Sequence, residues 1–141
     1  MVIRVFVYGS LKPGEVNYKR YCQGRVTSEE EAIARGDLYD FPHLGYPAMT
    51  GGSSLVYGYV LSFDDPTLLQ SLDWLEEYDP HRPVEENEYY REIIEVEGCD
   101  RQPLGQAWCY LMHPDKILTL RGVQVASGKW ASRQAFFPDA V

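Results

Sequence analysis

Residues 2–8 are almost continuously apolar, with β-branched and aromatic side chains dominating, which predicts a first strand buried on both faces. Gly9-Ser10 stops that run, and Lys12-Pro13-Gly14 extends the turn. Glu15 to Gln23 reads as a short helix closed by Gly24. The next stretch supports two readings. Ser28 with Glu31 has the spacing of a helix capping box, whereas Ile33 to Tyr39 continues as a strand. Phe41 to Thr50 carries two prolines and is expected to be a loop. Leu55 to Phe63, Asn87 to Val96 and Gln106 to Met112 have the patterning of strands, and Pro80 to Glu86 that of a polar loop. From Pro114 one helical turn is expected before Gly122, with irregular chain after it. The clearest helix spans Pro66 to Tyr78: Asp64 or Asp65 caps it, Pro66 suits its first position, and Pro80 ends it. The sum is a mixed α/β chain of the α+β kind, centred on a sheet. No repeat or linker-like shift divides it, so residues 1–141 are expected to form one domain.

Leu68, Leu69, Leu72 and Leu75 form the apolar stripe of that helix. Glu76 lies seven residues past Leu69, within ~20° of it in projection, while Glu77 falls with Asp73 and Gln70 on the polar face. A carboxylate among apolar neighbours has its charged form disfavoured, and a helix C-terminus pushes the same way. Its proton affinity then moves toward the range useful for acid–base work at neutral pH. The alternative is a Glu at the edge of the stripe that reaches water or pairs with an arginine.

The turn after the first strand invites a second chemistry. Gly9 and Gly14 have the spacing of a phosphate loop, but Glu15-Val16 stands where such a loop needs Lys and then Ser or Thr. The nucleotide reading therefore fails. A Gly-Ser junction still leaves backbone N–H groups open to a carboxylate or a developing oxyanion, unless it is simply a turn that needs glycine.

Composition narrows the partners. The 141 residues hold 13 Lys and Arg against 21 Asp and Glu, a formal charge of −8, which argues against nucleic acid and against anionic lipid. No apolar run approaches the ~20 residues of a membrane span, and the opening is broken by Arg4 with no cleavage site after it. Cys22, Cys99 and Cys109 make an odd count without CxxC spacing, so a reducing, cytoplasmic setting is expected. His43, His81 and His113 lack ligand spacing, and no metal site is expected. Cys109 reads as core, Arg91 as half of a structural ion pair, Trp130 as packing the tail onto the body, and Glu85-Glu86 with Glu88 as solvated charge.

Several segments in order carry a resemblance. They are Val5-Phe6-Val7-Tyr8-Gly9-Ser10-Leu11, Gly36-Asp37-Leu38-Tyr39, Tyr46-Pro47-Ala48, Val56-Tyr57-Gly58 and Leu72-Asp73-Trp74-Leu75-Glu76-Glu77-Tyr78. Tyr89-Tyr90-Arg91, Ala107-Trp108-Cys109-Tyr110 and Ser127-Gly128-Lys129-Trp130 complete the series. Together they resemble the gamma-glutamylcyclotransferase-like family, including its gamma-glutamylamine cyclotransferase branch. The resemblance implies a small mixed β-barrel flanked by a few helices, and a reaction without cofactor. In that reaction the α-amine of a small gamma-glutamyl substrate attacks its own γ-carbonyl, giving 5-oxoproline and a free amine. It places the acid/base role on Glu76 and the holding of the glutamyl group on Tyr8, Gly9, Ser10 and Leu11. It also suggests a site-facing Tyr110, where the pattern alone equally allows a core tyrosine with its hydroxyl paired. Two other functions stay open: binding of a gamma-glutamyl ligand without turnover, and release of a gamma-glutamyl group from a carrier protein.

Overall fold

The computed structural model describes residues 2–83 and 86–131. Its elements are β1 (Ile3–Val7), a π-helical turn (Tyr18–Cys22), β2 (Val26–Phe41), β3 (Tyr46–Phe63), α1 (Leu68–Leu75), β4 (Tyr90–Glu97), β5 (Pro103–Leu111), α2 (Pro114–Thr119) and β6 (Val123–Gln124). β1 pairs antiparallel with β3, from Ile3↔Phe63 to Val7↔Tyr59, and parallel with β5 at Val5↔Trp108. β5 pairs with β4, β4 with β2 at Ile33 and Ala34, and β2 with β3 along nearly its whole length. That last pairing returns to the strand where the series began, so five strands close into a mixed barrel. β6 is appended to β2 at Tyr39 and Asp40.

The closed ring explains the unbroken apolar run of β1. Phe6 faces a cluster drawn from all five strands of the ring, with Leu38, Met49, Val60, Val96 and Cys109. Ile3, Val5 and Val7 face the opposite way, against Leu68 and Leu72 of α1. Alternate side chains thus enter two different cores. Leu68 and Leu72 are fully buried, and each such side chain contributes ~1.5–3 kcal/mol of apolar burial.

Three expectations change. The capping-box reading of Ser28 and Glu31 gives way to strand: both residues sit in the ladder, opposite Ser62 and Tyr59. Ala32, Ile33 and Ala34 are buried just beyond them, and that packing outweighs local capping. The loop expected over Phe41–Thr50 shrinks to a tight turn at 42–45, where Gly45 has φ +80° and its N–H donates to the Phe41 carbonyl. Tyr46 to Thr50 is already β3, because Pro47 sits opposite Asp40 in a hairpin whose pairing the proline does not interrupt. The helix is shorter than Pro66–Tyr78. Asp65 accepts from the Thr67 N–H and hydroxyl just before it, and Arg25 pairs with the same carboxylate at 2.6 Å.

The helical turn after Pro114 is present as α2, and Trp130 is buried with its indole N–H on Asp40 Oδ1 at 2.9 Å. No helix among the described residues is long and apolar enough to cross a membrane.

Candidate active site

The chain leaves β1 at Tyr8 and turns at once. Gly9 lies so close under Pro47 that a Cβ there would stand 2.7 Å from Pro47 Cγ, so this approach admits only glycine. The carbonyls of the turn are engaged: Gly9 accepts from the Lys12 N–H, and Ser10 from those of Asn17 and Tyr18. The N–H groups of Gly9, Ser10 and Leu11 donate to nothing among the described residues. Ser10 Oγ accepts from Asn17 Nδ2 at 2.8 Å, which ties the turn to the segment that follows.

A cavity of about 420 Å³ opens beside this turn. Its far wall is the end of α1, where the apolar stripe runs out through Leu75 into Glu76. The Glu76 N–H closes the last helical turn on the Leu72 carbonyl, and Glu77 then adopts φ +54°, which redirects the chain. Glu76 is thereby aimed into the cavity rather than along the surface. Burial, and secondarily the neighbouring Glu88 carboxylate, push its carboxyl up to about 8. Such a group is mostly protonated at neutral pH and still exchanges its proton readily.

Glu76, Tyr8, Gly9, Ser10, Leu11 and Tyr110, singled out separately in the sequence, all border this one cavity. Tyr8 is buried, and its hydroxyl donates to the Tyr110 carbonyl at 2.6 Å. Burial, chiefly, raises both tyrosines well above the ordinary phenol range. Tyr110 donates its own hydroxyl to Asp73 Oδ1 at 2.6 Å, so it is both a paired tyrosine and a cavity-facing one.

The sequence missed part of the wall. Glu88 is not solvated charge. It lines the cavity, accepts the Tyr46 hydroxyl at 2.7 Å and shares a hydrogen bond with Glu77, whose carboxyl is raised as a result. Glu77, expected on a polar outer face, lines the same cavity. Glu86 is exposed, and Glu85 lies outside the described residues. Tyr46, Asn17 and Tyr89 also border the site. Tyr46 and Tyr89 stand in segments that carry the family resemblance, but their sequence context assigns them no role in the site. The Arg91 ion pair exists, with Nε 2.7 Å from Asp73 Oδ1.

No Lys, Arg or His is among the described residues that line the cavity. Among the described residues no group of three His, Cys, Asp or Glu side chains is placed to hold a metal ion. Cys109 and Cys22 are buried, and Cys99 is exposed. The cavity therefore joins one near-neutral acid to a row of unused backbone donors. That combination suits proton transfer next to a carbonyl whose oxygen gains negative charge.

Comparison with known proteins places the chain in a family. The chain is 31% identical over 135 residues to the gamma-glutamylcyclotransferase family protein YtfP of Citrobacter rodentium, covering 95% of this chain and 100% of that one. It is 32% identical over 118 residues to the gamma-L-glutamyl-butirosin B gamma-glutamyl cyclotransferase of Niallia circulans, covering 83% of this chain and 71% of that protein. The crystal structure of YkqA from Bacillus subtilis has the same fold, with a TM-score of 0.67 at 23% identity. It matches over 98% of this chain, which spans 43% of that longer protein. A family model described as gamma-glutamyl cyclotransferase, AIG2-like, matches residues 5–132, from the middle of β1 to beyond Trp130. The chain belongs to this family of cyclotransferase-type enzymes.

Proposed function

We propose that the protein converts a γ-glutamyl amine or peptide to 5-oxoproline and the free amine, with Glu76 as general acid/base and the Tyr8–Leu11 turn holding the glutamyl portion. The observation that carries this reading is the Glu76 carboxyl, raised to about 8, in a substrate-sized cavity also bordered by amides that donate to nothing among the described residues.

The chemistry balances without a cofactor. In its ionised form Glu76 takes a proton from the substrate's α-ammonium. The freed nitrogen attacks the γ-carbonyl carbon of the same molecule, forming the ring C–N bond and placing negative charge on the carbonyl oxygen. The N–H groups of the turn are the donors available to that oxygen. Collapse of the intermediate breaks the bond to the leaving nitrogen, which receives the proton from Glu76. The ring nitrogen then gives its second proton to the re-ionised Glu76, which passes it to the departing amine, leaving the lactam and an ammonium. One carboxyl serves both steps because, raised to about 8, it populates both its ionised and its protonated form near neutral pH. The cavity wall supplies the rest by holding the chain bent, nitrogen against carbonyl. The name of the Niallia circulans relative gives γ-L-glutamyl-butirosin B as its substrate, which supports a γ-glutamyl substrate here.

The test is detection of 5-oxoproline by mass spectrometry. Purified protein is incubated with γ-glutamyl amino acids, γ-glutamyl amines and glutathione, with Glu76→Gln in parallel. Release by the wild type and not by the variant is the expected result. Full turnover by Glu76→Gln would remove Glu76 from the acid/base role, and silence across the panel would remove the substrate class.

A further inference from the structure

Four tyrosines border the cavity, and each hydroxyl hydrogen is already committed within the protein. Tyr8 donates to the Tyr110 carbonyl, Tyr89 to the Pro47 carbonyl at 2.6 Å, Tyr46 to Glu88 and Tyr110 to Asp73. A backbone carbonyl can only accept, and so can the Asp73 carboxylate in its ion pair with Arg91, so the direction of the Tyr8, Tyr89 and Tyr110 bonds follows from the groups themselves. The Tyr110 bond is the most strongly fixed. Arg91 donates Nε to Asp73 Oδ1 at 2.7 Å and Nη2 to Oδ2 at 3.1 Å, a two-point pair that sets the plane of the carboxylate. The guanidinium is itself held over the Trp108 ring at 4.6 Å and the Tyr78 ring at 5.6 Å.

With its hydrogen turned to Asp73, the Tyr110 oxygen has only lone pairs left to offer the cavity that this residue borders. We propose that this oxygen accepts a hydrogen bond from the substrate's α-amino group, and that Asp73 and Arg91 are positioning residues that lock the hydroxyl in its accepting orientation. This rests on the cyclotransfer reading, in which the α-nitrogen is the nucleophile, and gives that nitrogen an address. The two sides of the cavity then divide a zwitterion between them. The amides of the Gly9–Leu11 turn face its oxygens, and the tyrosine wall faces its nitrogen. After losing one proton to Glu76 the amine keeps an N–H on Tyr110, which turns its lone pair toward the carbonyl carbon. Burial and the Asp73 bond hold the Tyr110 proton far above physiological titration, so the phenol does not compete with Glu76 as base.

The experiment separates this role from a merely structural one by deleting the amine from the ligand. In full-length Glu76→Gln, which blocks turnover, calorimetry measures the affinity of γ-glutamyl methylamide and of its deaminated counterpart, the monomethylamide of glutaric acid. The amine-bearing compound should bind about ten-fold or more tightly, the strength expected of a hydrogen bond from a charged donor. Tyr110→Phe should abolish that preference, Asp73→Asn should reduce it comparably, and the two together should do no more than Tyr110→Phe alone. Unchanged affinity for the glutaric compound in each variant shows that the pocket is intact. A preference that survives Tyr110→Phe overturns the proposal, and one lost there but kept in Asp73→Asn overturns the positioning role. If the preference survives while the wild type still releases 5-oxoproline, the cyclotransfer reading stands without this inference. If neither compound binds and no 5-oxoproline forms, both fall.

Discussion

Replacing Glu76 by Gln should stabilise the protein in a manner that depends on pH. The carboxyl moves from an ordinary value near 4.5 to about 8 in the fold. Its contribution is therefore undiminished below pH ~4.5, where folded and unfolded chains both hold the proton. It is lost progressively as pH rises toward 8, because the unfolded chain ionises freely while the folded one resists. A shift of ~3.5 units at ~1.36 kcal/mol each sets a ceiling of about 5 kcal/mol by pH 8. The cavity admits water, which offsets part of this, so a gain of ~2–3 kcal/mol for the variant is the working expectation. At ~3 °C per kcal/mol for a domain of this size, the melting temperatures should separate by roughly 6–9 °C at pH 8. They should nearly coincide at pH 4.5. Differential scanning fluorimetry across that range, with urea melts at the two ends, measures it directly. A gap of constant size, or one that narrows as pH rises, would refute the argument that burial keeps Glu76 protonated. The same variant should be catalytically silent, so its stability gain and its loss of activity have one origin.

Wild-type kcat/KM for 5-oxoproline release should climb between pH 6 and 8 as Glu76 gains its base form; a flat profile there would contradict the assignment. Gly9→Ala should reduce turnover at least ten-fold in the same release assay, since its Cβ meets Pro47 Cγ at 2.7 Å and the turn must shift. Leu72→Ala, at a fully buried position between α1 and the barrel, should cost ~2–5 kcal/mol in a urea titration. Of the three cysteines, Cys99 alone is exposed, and burial raises the Cys22 thiol to about 11. A thiol reagent should therefore titrate one group in the native protein and three after unfolding.

Much of the site was legible because it rests on local rules. The helical period put Glu76 on the stripe side of α1, and the strand-to-glycine junction marked the turn, both from neighbours within a few residues. What stayed hidden depends on pairings across the chain. Asp73 sits on the polar face of α1, where periodicity assigns it to solvent, yet Arg91 and Tyr110 arrive there from two other strands. Glu88 follows a polar, proline-bearing loop and looks like surface charge until the fold sets it against Tyr46. The strand at Tyr46–Thr50 was obscured by Pro47, whose lack of an N–H disfavours strand locally. Its neighbours Ala48 and Met49 are nevertheless buried in the two cores. The sheet's membership could be read from patterning, whereas its closure required knowing that β2 meets both β3 and β4.

The parallel contact between β1 and β5 has a consequence for the timing of biogenesis. Val5 and Trp108 are about one hundred residues apart, yet their pairing helps to close the ring. Leaving the ribosome at ~5–20 residues per second, β1 waits roughly 5–20 s for its neighbour. During that interval a sequence apolar on both faces has one hairpin edge to lean on and nothing on the other. The turn that borders the cavity hangs from the end of this same strand, and Tyr110, its hydrogen-bond partner through Tyr8, comes from β5. Nascent or truncated chains lacking the last strands should therefore be devoid of partial activity, and refolding should restore ligand binding no sooner than the whole barrel. In this architecture the cavity beside the Gly9 turn takes its final shape only once β5 has joined β1.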